Sequence, residues 1–372
     1  MNLVIVFKQM LRFGRTTFIL CSLWLCVPTT QTFGAESNTE WDRAVEAGKQ
    51  EGKVSIWGPP GSWARSVLVD EFQKRFPEIK VEYHGASGSA GWAKIKGEKD
   101  AGIHAVDVHV GGAGTAGTAI YQAKVLQPIE SILIHPEVRN KNEWWRSTYH
   151  FGDPENRYVF VFSISPIPAI AYNPQLVEPQ TFQSYKDLLQ PKWKGKIVMF
   201  DPRVSGPGAT RWHVFVELLG REYVTALAAQ LVLTRDLRQS VEWIATGKYP
   251  FGTGLSDVHV EEFSKKGAQI ALLSHLAEGN VLSAGWGTVN LFQRPPNPNA
   301  AKLYINWLLS REGQLAWQKS GYNSARVDIT KDTVNPFNRI VEGVKYVEDF
   351  TALALKKRTE VSIPLAREAI KD

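Results

Sequence analysis

Apolar positions along this chain recur with two periods, one near four residues and one near two, and the period changes at clusters of Gly, Pro and Ser. Residues 40–51 carry Trp41, Ala44, Val45 and Gly48 at helical spacing and predict the first helix. Residues 53–57 read as a strand, broken by Gly58-Pro59-Pro60-Gly61-Ser62. Residues 64–76 place Val67, Leu68, Val69 and Phe72 on one helical face, and Pro77 stops them. Residues 79–83 alternate as a strand, 84–91 form a small-residue loop, and 93–99 a polar helix. Residues 106–110 predict a strand running into 111–117. Strands alternating with helices argue an α/β fold with parallel pairs.

The second half repeats the pattern. Residues 188–212 read LLQPKWKGKIVMFDPRVSGPGATRW. A helix end is stopped by Pro191, the apolar run 197–200 predicts a buried strand, and the loop 203–210 leads into a helix. Helices are predicted at 222–233, 237–246, 299–309, 312–319 and 342–356, and a strand at 249–254. Residues 158–171 are apolar but contain Pro166 and Pro168, which cannot serve a central ladder, and predict a crossing between lobes. Residues 270–273 predict the return crossing.

The N-terminal residues change the setting. Lys8, Arg12 and Arg15 precede an apolar run at 16–27, with Pro28 behind it, the order of a secretory signal peptide ending near Ala35. Both cysteines, Cys21 and Cys26, fall inside it. The net charge of +6 drops to +3 once its three cations are removed, too weak a bias for nucleic acid. A secreted chain without disulfides needs a large core of its own.

Ligands of open α/β sheets sit beyond the carboxyl ends of the strands. Here those ends carry small-residue loops: 58–62, 84–91, 111–117 and 203–210. A loop of this kind at a helix start presents unpaired N–H groups and the positive end of the helix dipole to an anion. The candidate ligand-binding residues are therefore Ser62, Trp63, Ser87, Gly88, Ser89, Gly112, Ala113, Gly114, Arg203, Ser205, Gly206, Thr210, Arg211, Ser256 and Asp257. Arg203 and Arg211 have the fork of donors that matches a carboxylate, sulfonate or phosphate, with surface charge as the plainer role. Trp63, Trp92 and Trp212 stand beside the loops as candidate walls, with core packing as the alternative.

Other chemistries are less well supported. Gly112-Ala113-Gly114-Thr115-Ala116-Gly117 matches the dinucleotide pattern GxGxxG, and Glu130 stands near the expected ribose-binding acid. Its helix is short, it follows earlier strands, and an exported chain is far from the nicotinamide pool. His104 and His109 point to opposite faces of a strand, and neither HExxH nor GxSxG occurs. No catalytic residue, cofactor or metal ligand is assigned.

With these residues in view, the chain resembles the ABC-transporter solute-binding proteins of extracellular family 1, ferric-iron-type branch. The carrying pieces are Leu188-Leu189 before Pro191-Lys192-Trp193-Lys194-Gly195-Lys196, Glu51-Gly52-Lys53-Val54, Ala245-Thr246-Gly247-Lys248-Tyr249-Pro250, and Asn306-Trp307-Leu308-Leu309-Ser310 with Glu312-Gly313-Gln314. The resemblance implies an α/β, two-lobed periplasmic-binding-protein fold (type II), with the ligand cleft between lobes joined by hinge strands. The expected division is a signal peptide at 1–35, lobe 1 at 36–165 and 277–330, and lobe 2 at 166–276 and 331–372. It implies a periplasmic monomer that captures a small molecule for an inner-membrane ABC permease, without catalysis. The branch's adjacent iron-binding tyrosines fall here on Asp257 and Val258, its His near Gly61 and its Glu near Gly112. Direct iron binding of that kind is not expected, and a small organic anion is. The alternatives are a chelated metal, or a secreted enzyme using the same cleft.

Overall fold

The computed structural model describes residues 35–371, residue 87 excepted. The signal-peptide expectation for residues 1–35 lies almost wholly outside them, as does the candidate Ser87. Among the described residues no helix is long and apolar enough to cross a membrane.

Two open sheets form the centres of two lobes. In lobe 1 the spatial order is Lys80–Gly85, Lys53–Gly58, Val108–Gly111, Thr288–Phe292, Phe160–Val161 and His150–Phe151, with Leu126–Gln127 also beside Thr288–Phe292. The first three strands are parallel, in register Lys53 with Lys80 and Ile56 with Val108, while Thr288–Phe292 runs antiparallel to its neighbours. In lobe 2 the order is Leu231–Thr234, Ile197–Phe200, Phe251–Thr253, Ile170–Tyr172 and Ala271–Leu273. Strands Ile197–Phe200 and Val108–Gly111 are buried throughout, and the first is an unbroken apolar run as expected of a strand covered on both faces.

Helices supply the cover. The helix at 62–75, with a π turn at Ser66–Asp70, buries Val67, Leu68, Val69 and Phe72 against Pro298–Leu309, where Phe72 meets Tyr304 and Trp307 edge-on. Pro207–Ala228 lays Trp212, Phe215, Val224 and Leu227 on the lobe 2 core, with a break at Gly220. The expected helix at 222–233 thus stops early. Residues 231–234 alternate Leu and β-branched side chains and pair in parallel with Ile197–Phe200. The expected helix at 342–356 is likewise divided into a strand, Tyr346–Glu348, and a helix beginning at Ala352.

The chain passes between the lobes through a third, small sheet. Ser165–Pro166 leads from lobe 1 to lobe 2, Asn280–Ser283 leads back antiparallel to it, and Tyr346–Glu348 lies parallel to Asn280–Ser283. Pro166 sits at the sheet edge, where its missing N–H costs nothing. Beyond that third strand a helix at 352–369 with a π turn at Arg358–Ser362 spans both lobes. Its Leu355 joins the lobe 1 core, and its Leu365 and Ala366 join the lobe 2 core.

Arg211 fastens the crossings. It is fully buried, and its guanidinium donates to the Tyr185 hydroxyl and Asn280 Oδ1 at 2.9 Å, to the Ile167 carbonyl at 3.0 Å and to the Pro168 carbonyl at 2.9 Å. Asn280 in turn donates to the Ile167 carbonyl at 2.7 Å. One cation from lobe 2 therefore holds both hinge segments in register.

Candidate functional site

A cavity of about 340 Å³ lies where the lobes meet. Lobe 1 contributes Gly88, Gly112, Ala113, Gly114 and Thr115, together with Trp286, Trp317 and Tyr322. Lobe 2 contributes Phe200, Ser205, Gly206, Pro207, Thr210, Arg235, Leu237, Leu255, Ser256 and Asp257. The hinge sheet adds Ser165, Pro166 and Ser283, and the segment after its third strand adds Asp349 and Arg358.

The backbone explains the concentration of small residues. Strand Ile197–Phe200 ends at the cavity, and the chain must turn at once into the helix at Pro207. Gly206 takes φ 151°, and a Cβ on Gly208 would stand 1.8 Å from the Phe200 carbonyl oxygen, so this turn is built for glycine. Across the cleft, Val108–Gly111 empties into a helix at 113–122, and a Cβ on Gly112 would stand 2.3 Å from the Gly285 carbonyl oxygen. Two helices from opposite lobes thus start at the cavity wall. The N–H groups of a helix's first turn lack intrahelical acceptors, and the dipole puts partial positive charge beside them.

Arg358 supplies a full charge. Its Nη1 donates to Thr210 Oγ1 at 2.8 Å and to Asp349 Oδ2, and its Nη2 stands 2.6 Å from where a Cβ on Gly114 would be. The Asp349 N–H is held by the Leu282 carbonyl at 2.8 Å, which ties the pair to the hinge strand. Asp349 Oδ1 is buried and has no hydrogen-bond partner among the described residues.

Asp257 opens the helix Asp257–Lys265 and lines another part of the wall. Its Oδ1 accepts from the Tyr322 hydroxyl at 3.1 Å, a direct bond across the cleft, and from the Val258 N–H at 3.0 Å. Burial pushes its carboxyl up to about 6, against those two bonds, which favour the charged form. Burial also raises the Tyr322 phenol well above its ordinary range. Tyr322 stacks on Trp317 at 5.9 Å, making one wall a flat aromatic surface.

Of the residues singled out in the sequence, the cavity gathers Gly88, Gly112, Ala113, Gly114, Ser205, Gly206, Thr210, Ser256 and Asp257. Ser89 lies in the adjoining helix Gly88–Asp100. Others are placed elsewhere. Ser62 is exposed at a helix start, and Trp63 packs behind the wall on Trp317 and Tyr322. Arg203 is turned onto Asp201, Nε to Oδ1 at 3.0 Å and Nη2 to Oδ2 at 3.1 Å. Arg211 belongs to the hinge, as described. Trp212 is lobe 2 core and Trp92 packs in a lobe 1 cluster, so the aromatic wall is Trp286, Trp317 and Tyr322 instead.

The remaining motifs are structural. Gly117 of the GxGxxG stretch allows close approach of Gly152, whose carbonyl would be 2.2 Å from an added Cβ, and Glu130 pairs on the surface with Lys141. His109 is buried, bonded to Asn290 at 2.8 Å, and held neutral by burial at a value of about 4. Among the described residues no cluster of His, Cys, Asp and Glu is arranged to hold a metal.

Arg358, Asp349, Trp286, Trp317 and Tyr322 escaped sequence reading. Arg358 and Asp349 lie far along the chain, after a strand that the sequence does not declare, and only that third hinge strand brings them to the cavity. The one local signal was the Trp317/Tyr322 pair beside Gly321, five residues apart.

Two α/β lobes around a ligand-sized cavity, joined by short crossings, are the architecture of proteins that capture a small solute between their lobes. Comparison with known proteins gives the same class. A sequence profile for bacterial extracellular solute-binding proteins matches residues 62–323, and the chain belongs to that family. It is the solute-binding component of an ABC importer, a periplasmic type of protein. An uncharacterised protein of Haemophilus influenzae is 25% identical over 266 residues, 69% of this chain and 74% of that one. The periplasmic binding protein AfuA of Actinobacillus pleuropneumoniae, solved with exogenous fructose-6-phosphate bound, superimposes with a TM-score of 0.65 at 20% identity, over 85% of this chain and 99% of that one. Iron-bound HitA of Pseudomonas aeruginosa gives 0.66 at 15% identity over 85% and 99%. The Trichodesmium protein FutA, in complex with iron and citrate, gives 0.62 at 20% identity over 86% and 99%. These structures share the two-lobed fold.

Proposed function

We propose that this protein captures a small organic anion, a carboxylate, sulfonate or phosphate ester, in the interlobe cavity and delivers it to its permease without chemical change. The observation that carries this reading is the meeting of two helix starts, at Ala113 and Pro207, with the Arg358 guanidinium in one wall. N-terminal dipoles and a buried cation favour negative charge in a site shielded from water. The cavity volume suits a ligand of modest size, and the Trp317–Tyr322 surface suits a flat or aliphatic body. AfuA, with its sugar phosphate, shows that the fold accommodates such a solute. Position 257 carries an aspartate and position 258 a valine packed against the lobe 1 core, and the one tyrosine of the wall among the described residues, Tyr322, is buried and bonded to Asp257, so the donor set argues against bare ferric iron.

The test is calorimetric titration of the purified chain with a panel of carboxylates, sulfonates and phosphate esters, followed in parallel by the fluorescence of Trp286 and Trp317. Saturable binding with a change in tryptophan emission is expected for at least one class. Binding of a neutral solute or a ferric chelate in preference to every anion replaces this reading by the chelate or a neutral-solute one.

A further inference from the structure

The cavity holds more acceptors than the anion reading uses. Asp349 is fully buried, its Oδ2 takes the Arg358 bond, and its Oδ1 has no partner among the described residues. A buried carboxylate oxygen without a donor costs more than a neutral group in the same position, and native structures rarely leave one so. In lobe 2, Asp257 spends Oδ1 on Tyr322 and Val258, and its Oδ2 has no partner among the described residues. The two carboxylates share no hydrogen-bonding neighbour among the described residues and come from different parts of the wall, Asp257 from the start of a lobe 2 helix and Asp349 from just after the third hinge strand. Asp349 offsets only part of the Arg358 charge, and one guanidinium nitrogen, Nη1, makes both of the bonds to Thr210 and Asp349. The guanidinium and the dipoles of the two helix starts together set the preference for an anion, and the spare oxygens set a second requirement.

We infer that the solute is an anion that also carries hydrogen-bond donors, hydroxyl or ammonium groups, which are accepted by Asp349 Oδ1 and Asp257 Oδ2. A plain alkyl anion would leave Asp349 Oδ1 unbonded and would shut water away from Asp257 Oδ2 without bonding it, and a site built for donors rejects an analogue that lacks them. Closure around a donor-bearing solute satisfies both, and the Tyr322–Asp257 bond is then part of the wall rather than a substitute for the ligand.

This inference rests on the anion reading, and matched probes separate the two. Glycerol 3-phosphate is compared with n-propyl phosphate, malate with succinate, and isethionate and taurine with ethanesulfonate, by calorimetry on the parent, Asp349→Asn and Asp257→Asn. Asp349→Asn keeps an acceptor for Arg358 while removing the spare one, and circular dichroism checks that each variant is folded. At least a tenfold preference for the donor-bearing member of a pair is expected in the parent, falling to about twofold or less in either variant. Equal affinity within every pair overturns the inference and leaves the anion reading intact. A preference that survives in both variants also overturns it, since the donors are then accepted elsewhere. No binding by any of these anions removes the anion reading and this inference together.

Discussion

Two buried arginines of this protein should respond to truncation in opposite ways. Arg211 is bonded to Tyr185, Asn280 and the carbonyls of residues 167 and 168, and lines no part of the cavity. Replacing it with Ala removes four charge-assisted bonds. Tyr185 keeps its own bond to the Gly279 carbonyl at 3.3 Å, and the Ile167 carbonyl keeps Asn280 Nδ2. The Pro168 carbonyl and Asn280 Oδ1 are left bare, at about 1–3 kcal/mol each. A cavity the size of the side chain adds to this, and recovery of the desolvated guanidinium offsets part of it. The net loss is about 3–5 kcal/mol, a large share of the roughly 5–15 kcal/mol that holds a domain folded. Urea denaturation of the ligand-free protein measures it, and calorimetry on the folded variant should give near-parental affinity. Arg358→Met, made together with Asp349→Asn so that no carboxylate is stranded, should do the reverse. Affinity falls by about 2–5 kcal/mol, at least about thirtyfold, while the urea midpoint moves little. The assignment is refuted if Arg211→Ala keeps its stability and loses the ligand.

Other outcomes follow from the same geometry. Asp257 has a folded-state value of about 6, above the ordinary 3.8, so its contribution to the stability of the ligand-free protein is present below pH 4 and is lost as pH rises through 6. Asp257→Asn should therefore raise stability near neutral pH by about 1–3 kcal/mol and change nothing near pH 4, by chemical denaturation at both values. Gly112→Ala forces a methyl to within 2.3 Å of the Gly285 carbonyl and should cost about 1–3 kcal/mol in a melting experiment; an unchanged midpoint would mean that the two loops are not in contact. Titration with ferric citrate should give no tyrosinate charge-transfer band, and a strong band at one iron per chain would contradict the wall described above. Small-angle scattering with a bound solute should show a radius of gyration no larger than that of the ligand-free chain, and an expansion would count against hinge closure.

The α/β class and the loops of the site were legible because they depend on local rules. Apolar runs bounded by Pro and Gly marked the strands, and the glycines at 112, 206 and 208 marked turns that admit no side chain. Residues 270–273, expected as the return crossing, hold a strand of the lobe 2 sheet, Ala271–Leu273, and the chain returns through Asn280–Ser283 instead; two further elements were misread for want of tertiary information. Residues 231–234 carry an apolar alternation that continues a helix equally well, and only a free edge beside Ile197–Phe200 makes them a strand. Residues 346–348 are too short to declare themselves and exist as a strand by pairing with 280–283. The cation of the site followed the second of these. Arg203 and Arg211 stood near the loop in sequence, but one is neutralised by Asp201 and the other is consumed by the hinge. Sequence proximity cannot show which way a long side chain turns.

The order in which the chain supplies the cavity has its own consequence. Both sheets are complete by residue 292, and the loops at 112 and 206 are in place by then. Asp349 and Arg358 come only at the end, just after the strand Tyr346–Glu348 and within a helix that packs on both lobes. During synthesis from the N-terminus, a chain short of residue 358 lacks Arg358 and the part of the helix that carries Leu365 and Ala366 into the lobe 2 core. A cut between Tyr346–Glu348 and that helix would therefore take away one wall of the cavity together with the brace that packs on both lobes.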